Sequence, residues 1–413
     1  MTLTITPRAL AGTVQAPPSK SQAHRLLIAA ALAHGSSLIR GLTSSKDMEA
    51  TRRCLGELGA EFEETADGLV VHGMAANSMS PLRRMALPRL DCGESGSTLR
   101  FLIPVALAVR GGGVFTGQGR LMERPLEPYF DLFRQKNIFF EQTDGVLTVQ
   151  GLLEPGEYPL PGNVSSQFFT GLLFALPLQD GPSAILPTTD LESMDYIAMT
   201  CQALDRFGVQ TAATLSLPPQ YHVPGGQTYT AQDVTVEGDW SQAGFWYAAR
   251  ALGCDVDLTG LDPASLQGDK VIAQQFETLT APGAVELDVS QCPDLVPPLA
   301  AMAALRRGRT VLSNAARLRM KESDRLRAVA QTLNALGAHV TEGPDFLAFD
   351  GVDALSGGTV DSFNDHRIAM MAAIAAVRSR GAVTITNAQA VEKSYPTFWQ
   401  EYQRLGGQLT WNT

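Results

Sequence analysis

The chain has 413 residues and a formal net charge of −10, and 45% of its residues are hydrophobic. This length exceeds one ordinary hydrophobic core, so we expect two domains. The acidic balance argues against general binding to nucleic acids or anionic membranes, and the longest apolar runs, such as LLIAAALA, have the length of a core helix and not of a membrane span.

The amino-terminal stretch MTLTITPRAL lacks the basic and then apolar pattern of a secretory signal. The five cysteines are scattered, and no two of them have C-x-x-C spacing. No histidine and carboxylate pattern has the spacing of metal ligands. We therefore expect free thiols in a reducing cytoplasm, with neither a metal nor a cofactor.

The first predicted helix begins near Ser21 in PPSKSQAHRLLIAAALA, and its opening turns carry Lys20 and Arg25. Cations are unfavourable there, because the amino end of a helix carries partial positive charge. Four later helix starts share this small polar opening before an apolar run, and three of them also hold a basic residue. They are CGESGSTLRFLIPVALA with Arg100, NVSSQFFTGLLFALPL with Ser165, Ser166 and Gln167, RMKESDRLRAVAQTL with Lys321 and Arg325, and SFNDHRIAMMAAIAAV with Arg367.

Two interpretations of these helix starts are open. The arginines can lie on the surface and pair with nearby carboxylates such as Glu322, Asp324 and Asp365, which contributes little energy. Alternatively, the helix starts converge on anions, where backbone amides and basic side chains act together. Cations at the positive end of a helix are unfavourable, and this arrangement recurs at four helix starts. The recurrence favours the second interpretation. There is no Walker A motif, and GGGVFTGQG has the wrong spacing for a dinucleotide fingerprint.

One sequence pattern recurs along the chain: an amphipathic helix, a turn with glycine or asparagine, and a short strand. The turn residues are Gly59, Asn137, Gly208, Gly283, Gly337 and Gly406. Such residues are typical of left-handed helix caps. The spacing predicts six repeats, three in each half, each with more than one helix and strand, although helix, glycine and strand is also a generic α/β joint. We expect the halves to join near TVEGDWSQAGFW and near QAPPSK.

Eight ordered blocks resemble those of the 3-phosphoshikimate 1-carboxyvinyltransferase (EPSP synthase) family. They are PSKSQAHR, SGSTLR, RLMERPLEP, SSQFFTGLL, CPDLVPPLAA, RMKESDR, FNDHRIAM and VEKSYPTFWQ. The resemblance implies a two-domain inside-out α/β barrel with three βαβαββ units in each domain. It places an N-terminal domain at 18–237, a C-terminal domain at 1–17 plus 238–413, and the active site in the cleft between them.

The resemblance also implies an activity. This family transfers the enolpyruvyl group of phosphoenolpyruvate to the 5-hydroxyl of shikimate 3-phosphate and releases phosphate, on the shikimate pathway to chorismate. It implies a cytoplasmic monomer that needs no cofactor and binds neither nucleic acid nor membrane. Because each substrate carries a phosphate and a carboxylate, the family chemistry accounts for cations at helix starts.

The resemblance assigns roles to individual residues. Asp294, Glu322 and Lys20 match the catalytic residues, with Asp294 as the base toward the hydroxyl and Glu322 as the group that protonates and deprotonates the methyl carbon. The shikimate 3-phosphate contacts match Lys20, Ser21, Arg25, Ser165, Ser166, Gln167, Ser193, Asp294 and Lys321, with Tyr196 nearby. The phosphoenolpyruvate contacts match Lys20, Gly96, Arg124, Gln167, Arg325, Arg367 and Lys393.

Three positions depart from the family pattern. Glu94 stands for an asparagine and Ser97 for a threonine beside Gly96, and Arg317 stands where some relatives carry an asparagine. Gly96 implies sensitivity to glyphosate, which competes with phosphoenolpyruvate in this family, whereas Glu94 and Ser97 oppose it. Two alternatives remain: the sister enzyme that acts on UDP-N-acetylglucosamine, whose loop cysteine is missing from GQGRLMERPL, and a non-catalytic anion-binding protein on the same fold.

Overall fold

The computed structural model describes residues 1–74 and 86–412. The chain forms two units, an N-terminal domain of Lys20–Val236 and a C-terminal domain of Met1–Ser19 with Glu237–Thr413. The crossing points lie within two residues of the predicted ones at 18 and 237. Ser19 belongs to the C-terminal domain because its N–H donates to the carbonyl of Glu237 over 2.7 Å.

Three repeats of strand, helix, strand, helix and hairpin build the N-terminal domain. The first contains β14 (Val234–Thr235), α1 (Lys20–Leu32), β3 (Ser36–Arg40), α2 (Lys46–Leu58), β4 (Glu61–Thr65) and β5 (Gly68–His72). The second contains β6 (Arg89–Asp91), α3 (Gly96–Arg110), β7 (Gly112–Thr116), α4 (Glu127–Gln135), β8 (Phe139–Thr143) and β9 (Val146–Gln150). The third contains β10 (Gly156–Leu160), α5 (Ser166–Ala175), β11 (Ser183–Pro187), α6 (Met194–Arg206), β12 (Ala212–Ala213) and β13 (Tyr221–Val223).

The C-terminal domain follows the same plan. One repeat contains β2 (Ala11–Gln15), α7 (Trp240–Ala251), β15 (Asp255–Thr259) and α8 (Ile272–Thr280). The next contains β16 (Val285–Asp288), α9 (Val296–Ala304), β17 (Arg309–Ser313), α10 (Arg325–Ala335), β18 (His339–Glu342) and β19 (Leu347–Asp350). The last contains β20 (Gly358–Asp361), α11 (His366–Ala375), β21 (Val383–Thr386), α12 (Phe398–Arg404), β22 (Gln408–Asn412) and β1 (Thr2–Thr6). Short 3₁₀ helices cover Leu121–Glu123, Leu176–Leu178, Gly268–Val271, Pro293–Leu295, Ala316–Met320, Ala376–Arg378 and Ala388–Lys393.

In five sheets the first two strands pair in parallel and the other two strands pair antiparallel. The sixth sheet differs from the expected βαβαββ pattern. Within residues 1–74 and 86–412, it holds only the parallel pair β2 and β15. The strand after Gly283, which the sequence pattern placed in this repeat, is β16 and opens the next sheet beside β17.

The first helix of each repeat is largely buried, and three of these helices are buried almost completely. In α1 every residue from Gln22 to Leu32 is buried, and α9 and α11 are buried along their whole lengths. A helix that is apolar all round belongs inside a protein. Strands such as β5 alternate instead, with Leu69 and Val71 buried, so that one face of each sheet covers the helices. This arrangement is the expected inside-out barrel.

The predicted turn residues have the expected backbone. Gly59, Asn137, Gly208, Gly283, Gly337 and Gly406 all have positive φ, between 53° and 119°. Residues with a Cβ avoid this region, apart from asparagine and aspartate. The caps are therefore confirmed. Within the part of the chain that the structure describes, none of the helices combines the length and apolarity needed to span a bilayer.

Candidate active site

In the C-terminal domain, the predicted residues gather where three helices begin. Asp294 lies in the 3₁₀ turn that leads into α9, and Lys321 and Glu322 lie just before α10. Arg325 is the first residue of α10 and Arg367 the second residue of α11. The fold thus brings together residues that are up to 73 positions apart in the sequence.

Arg325 lies at the centre of this cluster, and its side chain is 1% exposed. Its Nη1 donates to Asp294 Oδ1 over 2.8 Å, and its Nη2 donates to Glu322 Oε2 over 2.6 Å. Its Nε donates to Asp365 Oδ2 over 2.8 Å. Burial lowers the pKa of Arg325, but the carboxylates of Asp365, Glu322 and Asp294 raise it overall. One fixed guanidinium therefore sets the distance between the two predicted proton carriers, Asp294 and Glu322.

Asp294 accepts further hydrogen bonds from two cations. Lys321 Nζ donates to its Oδ1 over 3.3 Å, and Arg367 Nη2 donates to its Oδ2 over 3.3 Å. Arg367 Nη1 also donates to the backbone carbonyl of Asp294 over 2.9 Å. Burial lowers the pKa of Lys321, and the charge of Arg325 adds to this effect, while Asp294 opposes it.

Asp365 accepts a hydrogen bond from the third guanidinium nitrogen of Arg325, Nε. It was not assigned a site role from the sequence. Its carboxylate is fully buried and accepts hydrogen bonds from Ser323 Oγ over 2.9 Å and from the N–H of Arg367 over 3.0 Å, in addition to Arg325. It is the N-cap of α11. The cap position before an apolar helix is the signal that could have identified it.

Lys393 ends the 3₁₀ helix Ala388–Lys393 and donates from Nζ to the backbone carbonyl of Asn364 over 2.5 Å. Its side chain therefore lies against the loop that leads into Asp365. The C-terminal cluster comprises four cations, namely Lys321, Arg325, Arg367 and Lys393, and three carboxylates, namely Asp294, Glu322 and Asp365. It carries one net positive charge when all seven are ionised.

In the N-terminal domain, Lys20 is the first residue of α1 and pairs with Asp47 over 2.7 Å. Asp47 lies in the first turn of α2, and Ser45 caps that helix. Both side chains of the pair are mostly buried, at 17% and 11% exposure. No local pattern in the sequence indicated Asp47 as the partner of Lys20.

Arg25 points into the N-terminal domain, and its side chain is 2% exposed. Its guanidinium donates to four neutral oxygens: Ser21 O at 2.6 Å, Tyr196 O at 2.8 Å, Thr200 Oγ1 at 2.9 Å and Thr170 Oγ1 at 3.5 Å. Burial lowers its pKa to about 10. A buried cation among neutral acceptors retains most of its attraction for an anion.

Gly96 and Arg124 lie in direct contact. Gly96 is the first residue of α3, and a Cβ at this position would be 2.5 Å from Arg124 Nη1. Only glycine allows this approach, because real Cβ contacts do not fall below 3.0 Å. Two of the four residues predicted to bind phosphoenolpyruvate in this domain are therefore neighbours.

Gln167 is held from two sides at the start of α5. Its Oε1 accepts from Arg100 Nη1 over 2.8 Å, and its Nε2 donates to Ser97 Oγ over 3.0 Å. Ser165 caps the same helix by accepting the N–H of Gln167 over 3.2 Å, and Ser166 is buried at its first position. The departure at Ser97 thus keeps a hydroxyl that orients Gln167.

The other predicted residues are placed as follows. Ser193 is buried immediately before α6 with left-handed backbone, at φ 57°. Arg317 is buried, and its Nη2 donates to the carbonyl of Ser290. The carboxylate of Glu94 lies beside Gly119, where a Cβ would be 2.7 Å from Oε2. Glu94 therefore faces the loop after β7.

The EPSP synthase (3-phosphoshikimate 1-carboxyvinyltransferase) family model matches residues 5–402. The chain belongs to this family. A 3-phosphoshikimate 1-carboxyvinyltransferase of Clostridium kluyveri is 43% identical, and the match covers 98% of both chains. One of Clostridium acetobutylicum is 42% identical over 98% of this chain and 97% of that one.

Solved structures agree with the EPSP synthase assignment. An EPSP synthase from Acinetobacter baumannii has a TM-score of 0.79 and 25% identity, covering 99% of this chain and 100% of that one. The enolpyruvyl transferase NikO from Streptomyces tendae shares the fold, with a TM-score of 0.77 and 18% identity over 99% and 98% of the two chains. The predicted family and fold are confirmed.

Proposed function

We propose that this chain transfers the 1-carboxyvinyl group of phosphoenolpyruvate to the 5-hydroxyl of shikimate 3-phosphate, with release of phosphate, on the shikimate pathway to chorismate. Membership of the EPSP synthase family makes it a transferase of this kind. One observation about the site carries the proposal: in each domain, buried cations gather at helix starts. Such positions suit substrates that carry both phosphate and carboxylate.

We propose that shikimate 3-phosphate binds at the starts of α1, α5 and α6. The contacts would come from Lys20, Ser21, Arg25, Ser165, Ser166, Gln167 and Ser193, with Asp294 and Lys321 from the other domain. The neutral surroundings of Arg25 support this assignment. Its charge has no carboxylate among its hydrogen-bond partners in the described residues, so a bound anion would offset the cost of burying it.

Phosphoenolpyruvate would bind to Lys20, Gly96, Arg124, Gln167, Arg325, Arg367 and Lys393. The close contact of Gly96 with Arg124 supports the part of this site in the N-terminal domain. In the C-terminal domain, Arg367 and Lys393 flank the loop that holds Asp365. We propose that residues of both domains act on one pair of substrates.

The proton transfers follow from the two carboxylates that Arg325 holds. Asp294 takes the proton of the 5-hydroxyl as its oxygen bonds to C2 of phosphoenolpyruvate, and Glu322 gives a proton to C3, which becomes a methyl group. The tetrahedral intermediate then loses phosphate, which takes up the proton held by Asp294, and Glu322 removes a methyl proton to restore the double bond. Acid and base catalysis of this type contributes about 10²–10⁴-fold. The preplaced cations stabilise the developing charge.

Phosphate release tests the proposal. Purified protein is mixed with phosphoenolpyruvate and either shikimate 3-phosphate, UDP-N-acetylglucosamine or no acceptor. We expect release with shikimate 3-phosphate alone. Release with only the sugar nucleotide would assign the sister reaction, and binding of both substrates without release would indicate an anion-binding protein.

We also propose that the chain acts as a monomer in the cytoplasm. Every residue assigned above comes from one chain, so the reaction needs no second copy. Light scattering on the protein as it elutes from a size-exclusion column should give a mass near the chain mass of 44.2 kDa. Twice this mass would contradict the proposal.

A further inference from the structure

A series of buried hydrogen bonds links the amino-terminal halves of α1, α2 and α3. Thr51 Oγ1, in α2, lies 2.9 Å from His24 Nδ1 in α1 and 2.6 Å from Thr98 Oγ1 in α3. Thr98 Oγ1 continues to Ser95 Oγ over 2.7 Å. All four side chains are at most 1% exposed, so water does not compete for these bonds.

The direction of the hydrogens follows from counting donors. Thr98 has one hydroxyl hydrogen and donates it to Ser95. The single hydroxyl hydrogen of Thr51 has two oxygens within reach, Thr98 Oγ1 at 2.6 Å and the carbonyl of Asp47 at 3.2 Å. It serves the shorter contact, because two oxygens 2.6 Å apart need a hydrogen between them. Thr51 must then accept from an Nδ1–H of His24. The opposite tautomer would bury an N–H at His24 Nε2, which has no partner in the described residues. A buried donor without a partner is the rarer and more costly arrangement.

The same face of α2 also holds the start of α1. Lys20 and His24 are four residues apart, as are Asp47 and Thr51, so each pair lies on one helix face. Lys20 bonds to Asp47 and His24 bonds to Thr51. Thr51 additionally reaches α3 through Thr98. Its hydroxyl therefore joins the helix starting at Lys20 to the helix starting at Gly96.

We propose that Thr51 is a positioning residue for phosphoenolpyruvate binding. Ser95, the last residue in this series of hydrogen bonds, is the N-cap of α3. It fixes the first turn of α3, in which Gly96 lies. Gly96 packs directly against the guanidinium of Arg124, so the two move together. A small shift of this turn would displace Arg124 and the backbone at Gly96 relative to Lys20. The inference rests on the proposed function, in which Lys20, Gly96 and Arg124 bind one substrate.

The test compares Thr51→Val, which removes the hydroxyl at similar volume, with Thr51→Ser, which keeps it. In the phosphate-release assay, we expect Thr51→Val to raise the KM for phosphoenolpyruvate by about fivefold or more, since one buried partner is lost. We expect the KM for shikimate 3-phosphate, whose site shares only Lys20 and Gln167 with that of phosphoenolpyruvate, to rise clearly less, and Thr51→Ser to restore most of the loss. Thr332→Val is the matched control, because Thr332 is also buried in a helix and donates only a 3.5 Å bond to a carbonyl.

Several results would overturn the proposal. They are an unchanged KM for phosphoenolpyruvate in Thr51→Val, equal rises in both KM values, or the same rise in Thr332→Val. Nitrogen NMR gives a test that needs no activity: the signal that disappears in His24→Asn should belong to a histidine protonated at Nδ1. Protonation at Nε2 would refute the hydrogen order. Lack of turnover by the unmodified protein would instead refute the proposed function, and the NMR result would still decide whether the chain of bonds exists.

Discussion

Gly96→Ala is the sharpest test of the phosphoenolpyruvate site, because the structure sets the size of the disturbance. The new Cβ would lie 2.5 Å from Arg124 Nη1 and 2.8 Å from Cζ, whereas ordinary contact begins at 3.4 Å. The buried guanidinium must therefore retreat by about 0.9 Å. The helix itself should tolerate the change, since alanine is a good helix former and Gly96 does not have positive φ.

The magnitude follows from electrostatics. Moving a guanidinium from about 4 Å to about 5 Å from an anion weakens their attraction by about 0.8 kcal/mol at an effective dielectric constant near 20. Loss of one hydrogen bond to a charged group adds about 1.5–3 kcal/mol. Because 1.4 kcal/mol is a tenfold change, the KM for phosphoenolpyruvate should rise roughly 50-fold to 500-fold.

Initial rates at saturating shikimate 3-phosphate measure this KM, and calorimetry measures the affinity for shikimate 3-phosphate, which should not change. Gly56→Ala is the matched control, because Gly56 also lies in a helix and a Cβ there meets nothing within 4 Å. It should leave all constants unchanged. A Gly96→Ala variant that folds and keeps the KM for phosphoenolpyruvate would show that Arg124 does not bind this substrate where we place it.

Three further predictions concern charged groups. Asp294→Asn and Glu322→Gln should each lower kcat by about 10²–10⁴-fold. Glu286→Gln, at an exposed strand position, is the control and should leave kcat unchanged. Normal turnover in either site variant would show that the residue takes no part in the proton transfers. Arg25→Met should weaken shikimate 3-phosphate binding at least about tenfold in calorimetry, with exposed Arg327→Met as control, and unaltered affinity would make Arg25 purely structural. Burial holds the pKa of His24 well below 6.5, and the charges of Lys20 and Arg25 add to this effect. Below pH 6.5 the unfolded chain therefore binds a proton at His24 that the folded chain does not bind. The free energy of unfolding falls as the pH drops below 6.5 for this reason. Between pH 6.5 and 5.5, urea denaturation should show the unmodified protein losing about 1 kcal/mol more than His24→Asn, and parallel losses would contradict a neutral buried His24.

Local sequence signals predicted the parts of the structure that depend on neighbouring residues. The left-handed backbone at Gly59 and Gly406 and the cationic start of α1 are of this kind, because caps and helix dipoles act within one turn. The pairing of Lys20 with Asp47 and of Arg325 with Asp365 joins residues 27 and 40 positions apart. Such contacts depend on how the helices pack, and no local pattern encodes them.

The incomplete repeat has the same explanation, because strand pairing joins residues that are distant in the sequence. The pattern around Gly283 has the helix, the glycine and the strand of the other copies, and the glycine has φ 110°. Which sheet the following strand joins depends on pairing with β17, and the sequence spacing does not determine this.

The two-stranded sheet has a consequence for association between molecules. Within the described residues β15 pairs only with β2, so its outer edge offers unpaired backbone groups to a strand of another chain. Asp255 and Asp257 are both exposed along that strand. An incoming copy of the same strand would bring its own acids against them, and this repulsion opposes fibre-like stacking. High salt, which screens these charges, should therefore weaken the protection against self-assembly at this edge.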